Sequence, residues 1–176
     1  MRVIAGKFRN RSLKAGKYFR PTSDRVRETL FNILQNEIEG SVFVDAFAGS
    51  GAVGIEALSR GAAMVYFLEY SRKALEILQS NLMECCQGEP WRVYSVPVLK
   101  GLELIHRDTS SVDILFFDPP YEFGLYPQLL QRSAELFPHA TYIVEASTRT
   151  ASETPSGIQL IKERNIGGTS LSFYRM

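Results

Sequence analysis

The chain has 176 residues, 45% hydrophobic and 22% charged, with a net charge of +1. That fits a single domain over 1–176 with an ordinary core, and excludes a membrane span, since no stretch nears roughly 18 unbroken apolar residues, or a secretory signal. Its cysteines, Cys85 and Cys86, are neighbours and its histidines are only His106 and His139, so neither a disulfide framework nor a metal site is expected. A reducing, cytoplasmic setting follows.

Charge is distributed unevenly. Residues 1–30 carry nine Lys or Arg against two acids, and the rest carry eleven against seventeen, so a +7 segment precedes a −6 body. A basic arm over 1–21 predicts a polyanionic partner, most simply nucleic acid. Val3, Ile4, Phe8 and Leu13 alternate with the charges, which predicts a strand or hairpin docked with its basic groups outward and turning at Gly6 and Gly16. Pro21 ends it. Thr22 and Ser23 offer caps for a helix to about Glu39, stopped by Gly40, with Val26, Leu30, Ile33 and Leu34 as its apolar stripe. Arg25, Glu28 and Asn32 lie off that stripe.

Val42–Val44 reads as a strand buried on both faces, ending in Asp45. The run 46–54 supplies Gly49, Gly51 and Gly54 before a helix through about Arg60, closed by Gly61. A strand over Met64–Leu68, the acid Glu69 and a helix opened by Ser71 follow, the last with Leu75, Leu78 and Leu82 on one face. Alternation at this spacing predicts a doubly wound α/β sheet, whose ligands bind beyond the carboxyl ends of the strands. The glycine pattern with its following acid suits NAD or S-adenosylmethionine. Asp45 would crowd a pyrophosphate and favour a sulfonium and an ammonium, so it points to S-adenosylmethionine.

A further buried strand, Val112–Phe117, ends in Asp118-Pro119-Pro120-Tyr121. Two prolines cannot extend a ladder, so the strand stops beside an acceptor-only carboxylate and an aromatic face. Such a tip can take the protons of an exocyclic amine, turning its lone pair toward a methyl donor and stabilising the charge that develops on nitrogen. Tyr142–Ala146 predicts another strand. Ile158–Glu163 and Ser170–Arg175, joined across Gly167-Gly168, predict a hairpin. Glu145, the two histidines and the two cysteines are assigned no chemistry.

Asp118–Tyr121 following Asp45–Gly51, together with Ile4–Arg9, Arg20–Asn32 and Gly54–Ala62, resemble the RsmD-type bacterial 16S ribosomal RNA guanine-N2 methyltransferases over nearly the whole chain. The resemblance implies a Rossmann-like class I methyltransferase: a mostly parallel seven-stranded sheet with a basic N-terminal extension and an antiparallel C-terminal hairpin. It implies S-adenosylmethionine held by Asp45, Phe47, Ala48, Gly49, Ser50, Gly51, Glu69 and Tyr70. Thr22 and Arg25, on a helical segment over 22–40, would close that pocket. Asp118, Pro119, Pro120 and Tyr121 would grip an extruded guanine. Arg2, Lys7, Arg9, Arg11, Lys14, Lys17 and Arg20 would bind ribosomal RNA within a small-subunit assembly, the enzyme acting as a monomer without a membrane. One departure is Val93–Val98, where Pro97 stands and the acid expected near the cofactor's adenine is missing, which leaves that contact to Ser95 or a backbone group. An adenine-N6 or other nucleic-acid amino-methyltransferase is the alternative. An NAD-dependent oxidoreductase would leave Asp118–Tyr121 without a task, and an idle RNA-binding domain would make both strand-end acids accidental.

Overall fold

The structure, a computed structural model, describes residues 1–16, 22–109, 111–120, 124–148 and 154–176. Helices and strands alternate as α1 (Asp24–Ile33), β1 (Val42–Ala46), α2 (Ala52–Ser59), β2 (Met64–Leu68), α3 (Arg72–Cys85), β3 (Trp91–Tyr94), α4 (Val98–Asp108), β4 (Ile114–Phe117), α5 (Tyr126–Leu136) and β5 (Thr141–Ser147). The strands β6 (Gln159–Ile166) and β7 (Thr169–Arg175) close the chain. All seven strands form one sheet in the order β3-β2-β1-β4-β5-β7-β6. Only β7 runs against its neighbours, pairing antiparallel with both β5 and β6. This is the α/β class that the alternating pattern predicts.

Burial on both sides explains the continuously apolar strands. Phe43, Val65, Phe67, Phe116 and Ile143 pack with α1, α2 and α3 on one face. Val44, Leu68, Leu115, Phe117 and Val144 pack with α4 and α5 on the other. Helix α2 lies close to β2 because Gly54 has no side chain: a Cβ there would come within 2.2 Å of the Phe67 ring. Successive crossovers leave β1 toward β2 on one side, while β4 enters on the other. That is the switch point where such sheets open a crevice.

One expectation is corrected. The first helix ends at Ile33, not near Glu39: Leu34 is its C-cap, and Glu37 and Ile38 donate back to the Leu34 carbonyl in tight turns. Ile38 is buried four residues after Leu34, so the apolar spacing continues although the helix has stopped. The N-terminal segment is docked on the body of the protein. A single antiparallel bridge, Arg2 to Ser12, folds it back, and Val3, Phe8 and Leu13 enter the core. Its loop sits on the end of α2 so tightly that a Cβ on Gly6, where φ is +79°, would lie 1.8 Å from the Ser59 carbonyl oxygen.

Docking there depends on a buried carboxylate. Glu56, fully buried, accepts from the amides of Ile4 at 2.8 Å and Ala5 at 3.0 Å and from Arg60 Nε at 2.8 Å. Arg27, also fully buried, approaches it at 3.8 Å and donates to the Arg2 carbonyl and to Asp24. Helix α1, the N-terminal loop and α2 are therefore tied at one point.

Candidate active site

Register places the strand ends. Ala46 pairs with Leu68 on one side and Phe117 on the other, so the next residues, Phe47, Glu69 and Asp118, stand in a row at the tips of β1, β2 and β4. Neighbouring strands are about 4.8 Å apart. The β4–β5 register extends the row toward Glu145. Alternation turns Asp45, Glu69, Asp118 and Glu145 to the face that also carries Phe43, Phe67, Phe116 and Ile143, the side of α1 and α2.

These four carboxylates line one cavity of about 560 Å³, within the roughly 300–1,000 Å³ usual for small-ligand sites. Thr22, Phe47, Ala48, Gly49, Ser50, Pro119 and Pro120 also line it. Among the described lining residues there is no Lys or Arg. A pyrophosphate would meet uncompensated negative charge here, whereas a sulfonium with an ammonium would be stabilised.

Local hydrogen bonds set the shape. Asp45 Oδ2 accepts from the Gly54 amide at 2.8 Å, fixing β1 to the first turns of α2. Burial pushes its carboxyl up to about 7; the Gly54 amide opposes that, and the charges of Asp118 and Glu69 add to it. Both oxygens of Glu69 face backbone donors, Gly49 N at 2.8 Å and Ser71 N at 2.7 Å. The bend at the end of β1 passes through Phe47 with φ +73°, a left-handed conformation rare for a non-glycine residue. Asp118 Oδ2 accepts from Thr22 Oγ1 at 3.1 Å, joining the tip of β4 to the residue before the N-cap of α1.

Of the residues expected to hold the cofactor, Asp45, Phe47, Ala48, Gly49, Ser50, Glu69 and Thr22 line the cavity; Gly51, Tyr70 and Arg25 do not. Tyr70 is 70% exposed, and Gly51 instead packs against Leu78. Asp118, Pro119 and Pro120 line it, while Tyr121 lies outside the described residues. Ser95 and Val96 line no part of it.

Several contributors were not among the expected site residues, Glu145 among them. Glu145 and Ala146 from β5 and Ile166, Gly168 and Thr169 from the β6–β7 hairpin complete the wall. Strand parity, counted across β4 and β5, would have placed Glu145 beside Asp118; the hairpin tip depends on β7 inserting between β5 and β6. Asn81, buried within α3, clips the glycine loop from behind. It donates to the Ser50 carbonyl at 2.9 Å and pairs with both the amide and the carbonyl of Lys14.

The described basic residues of the N-terminal segment are exposed but not equivalent. Lys7 pairs with Glu89 and Lys14 with Glu84. Arg11 donates to the Cys85 carbonyl at 2.7 Å and lies over the Phe8 ring. The side chains of Arg2 and Arg9 have no partner among the described residues. Lys17 and Arg20 lie outside those residues. Among the described residues no cluster of His, Cys, Asp or Glu could hold a metal ion, and no helix is long and apolar enough to cross a membrane.

Comparison with known proteins sets this geometry in context. Residues 1–175 match the family described as Conserved hypothetical protein 95. The chain is 38% identical to Ribosomal RNA small subunit methyltransferase D of Haemophilus influenzae, covering 99% of this chain and 93% of that protein. It is 34% identical to the protein of the same name from Escherichia coli, covering 99% of this chain and 89% of the relative. Among solved structures, a putative methyltransferase, yhhF, from Escherichia coli superposes with a TM-score of 0.83 at 32% identity, covering 99% of this chain and 96% of that one.

Proposed function

We propose, since this chain belongs to the family of the ribosomal RNA small subunit methyltransferases D, that it methylates the exocyclic N2 amine of a guanine in 16S ribosomal RNA. The single observation that carries this reading is Asp118 sharing one acid-lined cavity with the glycine loop and Asp45. The donor is S-adenosylmethionine, which when bound supplies an electrophilic methyl on a positively charged sulfur. Everything else is the work of the chain. Asp45, Glu69 and the 47–50 loop bind and orient a cation without phosphates. Asp118, at a tip where the ladder ends, accepts a hydrogen bond from the target amine and holds its lone pair in line. Prolines 119 and 120 keep that tip from continuing as a strand. Its setting is the cytoplasm, acting as a monomer on RNA within an assembling small subunit.

The test is transfer of a labelled methyl from S-adenosylmethionine to small-subunit RNA, followed by nucleoside analysis. N2-methylguanosine is the expected product; N6-methyladenosine would favour the adenine alternative, and binding of NAD in place of S-adenosylmethionine would end the reading.

Asp45 makes donor binding depend on pH. Its folded-state value, about 7, lies above its ordinary 3.8. The neutral form therefore supports folding below 3.8, and that contribution fades as pH rises through about 7. A cationic donor favours the ionised form. Affinity for S-adenosylmethionine is expected to fall as pH drops below about 7, by at most about tenfold per unit. Calorimetry across that range checks it: Asp45→Asn should bind more weakly and flatten the profile, and a flat profile in the native protein would refute it.

Phosphate contact from the N-terminal segment falls to the side chains without partners. Arg9→Ala is expected to weaken RNA binding and to lower the slope of log affinity against log salt by about one, with donor affinity unchanged. An unaltered slope would remove Arg9 from the RNA interface.

A further inference from the structure

We infer that Thr22 is a positioning residue for Asp118, acting on the transfer step through that carboxylate; this rests on the reaction proposed above. Thr22 is the residue before the N-cap of α1. Capping is done by its neighbour, since Ser23 Oγ accepts from the Val26 amide. The Thr22 hydroxyl is thereby left for the cavity, where it donates to Asp118 Oδ2 at 3.1 Å. An ionised carboxylate only accepts, so the single O–H of Thr22 has its direction set by this bond.

The donor stands on a firm base. Thr22 is buried, and the helix that follows it is pinned by the buried Arg27 guanidinium to the Arg2 carbonyl and toward Glu56. Asp118 lies just past the last ladder pair of β4, with a proline next in the chain. A carboxylate at a ladder's end needs its rotamer fixed by side chains if it is to meet an amine in one geometry. The 3.1 Å bond supplies that restraint on one oxygen. It also stabilises the charged carboxylate, the form that accepts from the amine.

Valine matches threonine in shape and lacks the hydroxyl, and serine keeps it. Thr22→Val should lower kcat about tenfold to a hundredfold, the range for one hydrogen bond to a charged group. Its affinity for S-adenosylmethionine by calorimetry and its KM for RNA should stay within about threefold, since no uniform binding is lost. Thr22→Ser should restore most of kcat. In an Asp118→Asn background the valine change should cost much less than in the native chain, because the residue acts through the carboxylate. Melting curves show whether each variant is folded at the assay temperature; if Thr22→Val is not, the serine variant and the Asp118→Asn pair are compared at lower temperature. Full kcat in Thr22→Val, or a loss confined to donor affinity, would make Thr22 a wall of the pocket and overturn the positioning role. Losses that add in the double variant would do the same. Failure of the native protein to methylate ribosomal RNA is a different result: it overturns the proposed reaction, and the positioning role falls with it.

Discussion

Asp118→Ala should transfer methyl groups about a hundredfold to a thousandfold more slowly than the native chain, while binding S-adenosylmethionine within about threefold as tightly. The magnitude is that of removing one preorganised electrostatic partner from a developing charge. An exocyclic amine has its lone pair delocalised into the ring, so the enzyme must take hold of its protons before nitrogen can attack. Alanine removes that hold and the hydrogen bond from Thr22. The donor side is built from other elements: the 47–50 loop, Asp45 bound to the Gly54 amide and Glu69 bound to the Gly49 and Ser71 amides, none of which depends on Asp118. One effect runs the other way. The Asp118 charge helps push the Asp45 carboxyl up, so removing it eases ionisation of Asp45 and offsets part of any lost attraction for the cation. Asp118→Asn keeps the size but replaces one acceptor oxygen with a donor, and should be nearly as slow as alanine. Single-turnover rates at saturating donor separate this from a binding defect. A rate within threefold of native in either variant would take Asp118 out of the reaction.

The acids at the strand tips were legible because each ends an apolar run whose neighbours stop the strand: glycines after Asp45, two prolines after Asp118. Fold class was legible for the same reason, since burial on both faces leaves continuous apolar strands and little else does. Helices α4 and α5 gave weaker signals; neither has a side-chain N-cap, and α4 begins directly after Pro97. The end of α1 was hidden because Leu34 and Ile38 reach the same core whether the backbone between them is helix or turn. Charge counting misled in a different way. It included Arg27 in the excess of positive charge over residues 1–30, yet that guanidinium is fully buried. It also counted Lys7, Arg11 and Lys14 as available, although each is held by a partner on or just beyond α3. Charge reports only the sum over a segment, whereas availability is set by which elements pack together.

Glu56 carries the largest stability effect expected. It has no exposure, and it faces four donors: the amides of Ile4 and Ala5, Arg60 Nε and, at longer range, Arg27. Glu56→Ala leaves two part-buried amides without their acceptor and weakens the compensation of a buried guanidinium whose Nε already lacks an acceptor among the described residues. Breaking a buried ion pair from one side costs about 3–5 kcal/mol, and unpaired buried amides about 1–3 kcal/mol each, terms that overlap here and do not add. A loss of about 3–5 kcal/mol is therefore expected, read as a lower urea midpoint with an unchanged slope. Asp24 and the Arg2 carbonyl still hold Arg27, which keeps the loss from being larger. Glu56→Gln should fall between, because its NH2 would point at a donor where an oxygen now accepts. A loss below about 1 kcal/mol would mean that the N-terminal loop is held by its apolar anchors Val3, Phe8 and Leu13 and not by the carboxylate. If instead the loop loosens locally, Lys14 should part from Asn81, the clip that also holds the Ser50 carbonyl of the cofactor loop. Amide exchange at Ile4, Ala5 and Lys14 would then quicken before the sheet unfolds, and donor affinity would weaken in a variant changed well away from the cavity.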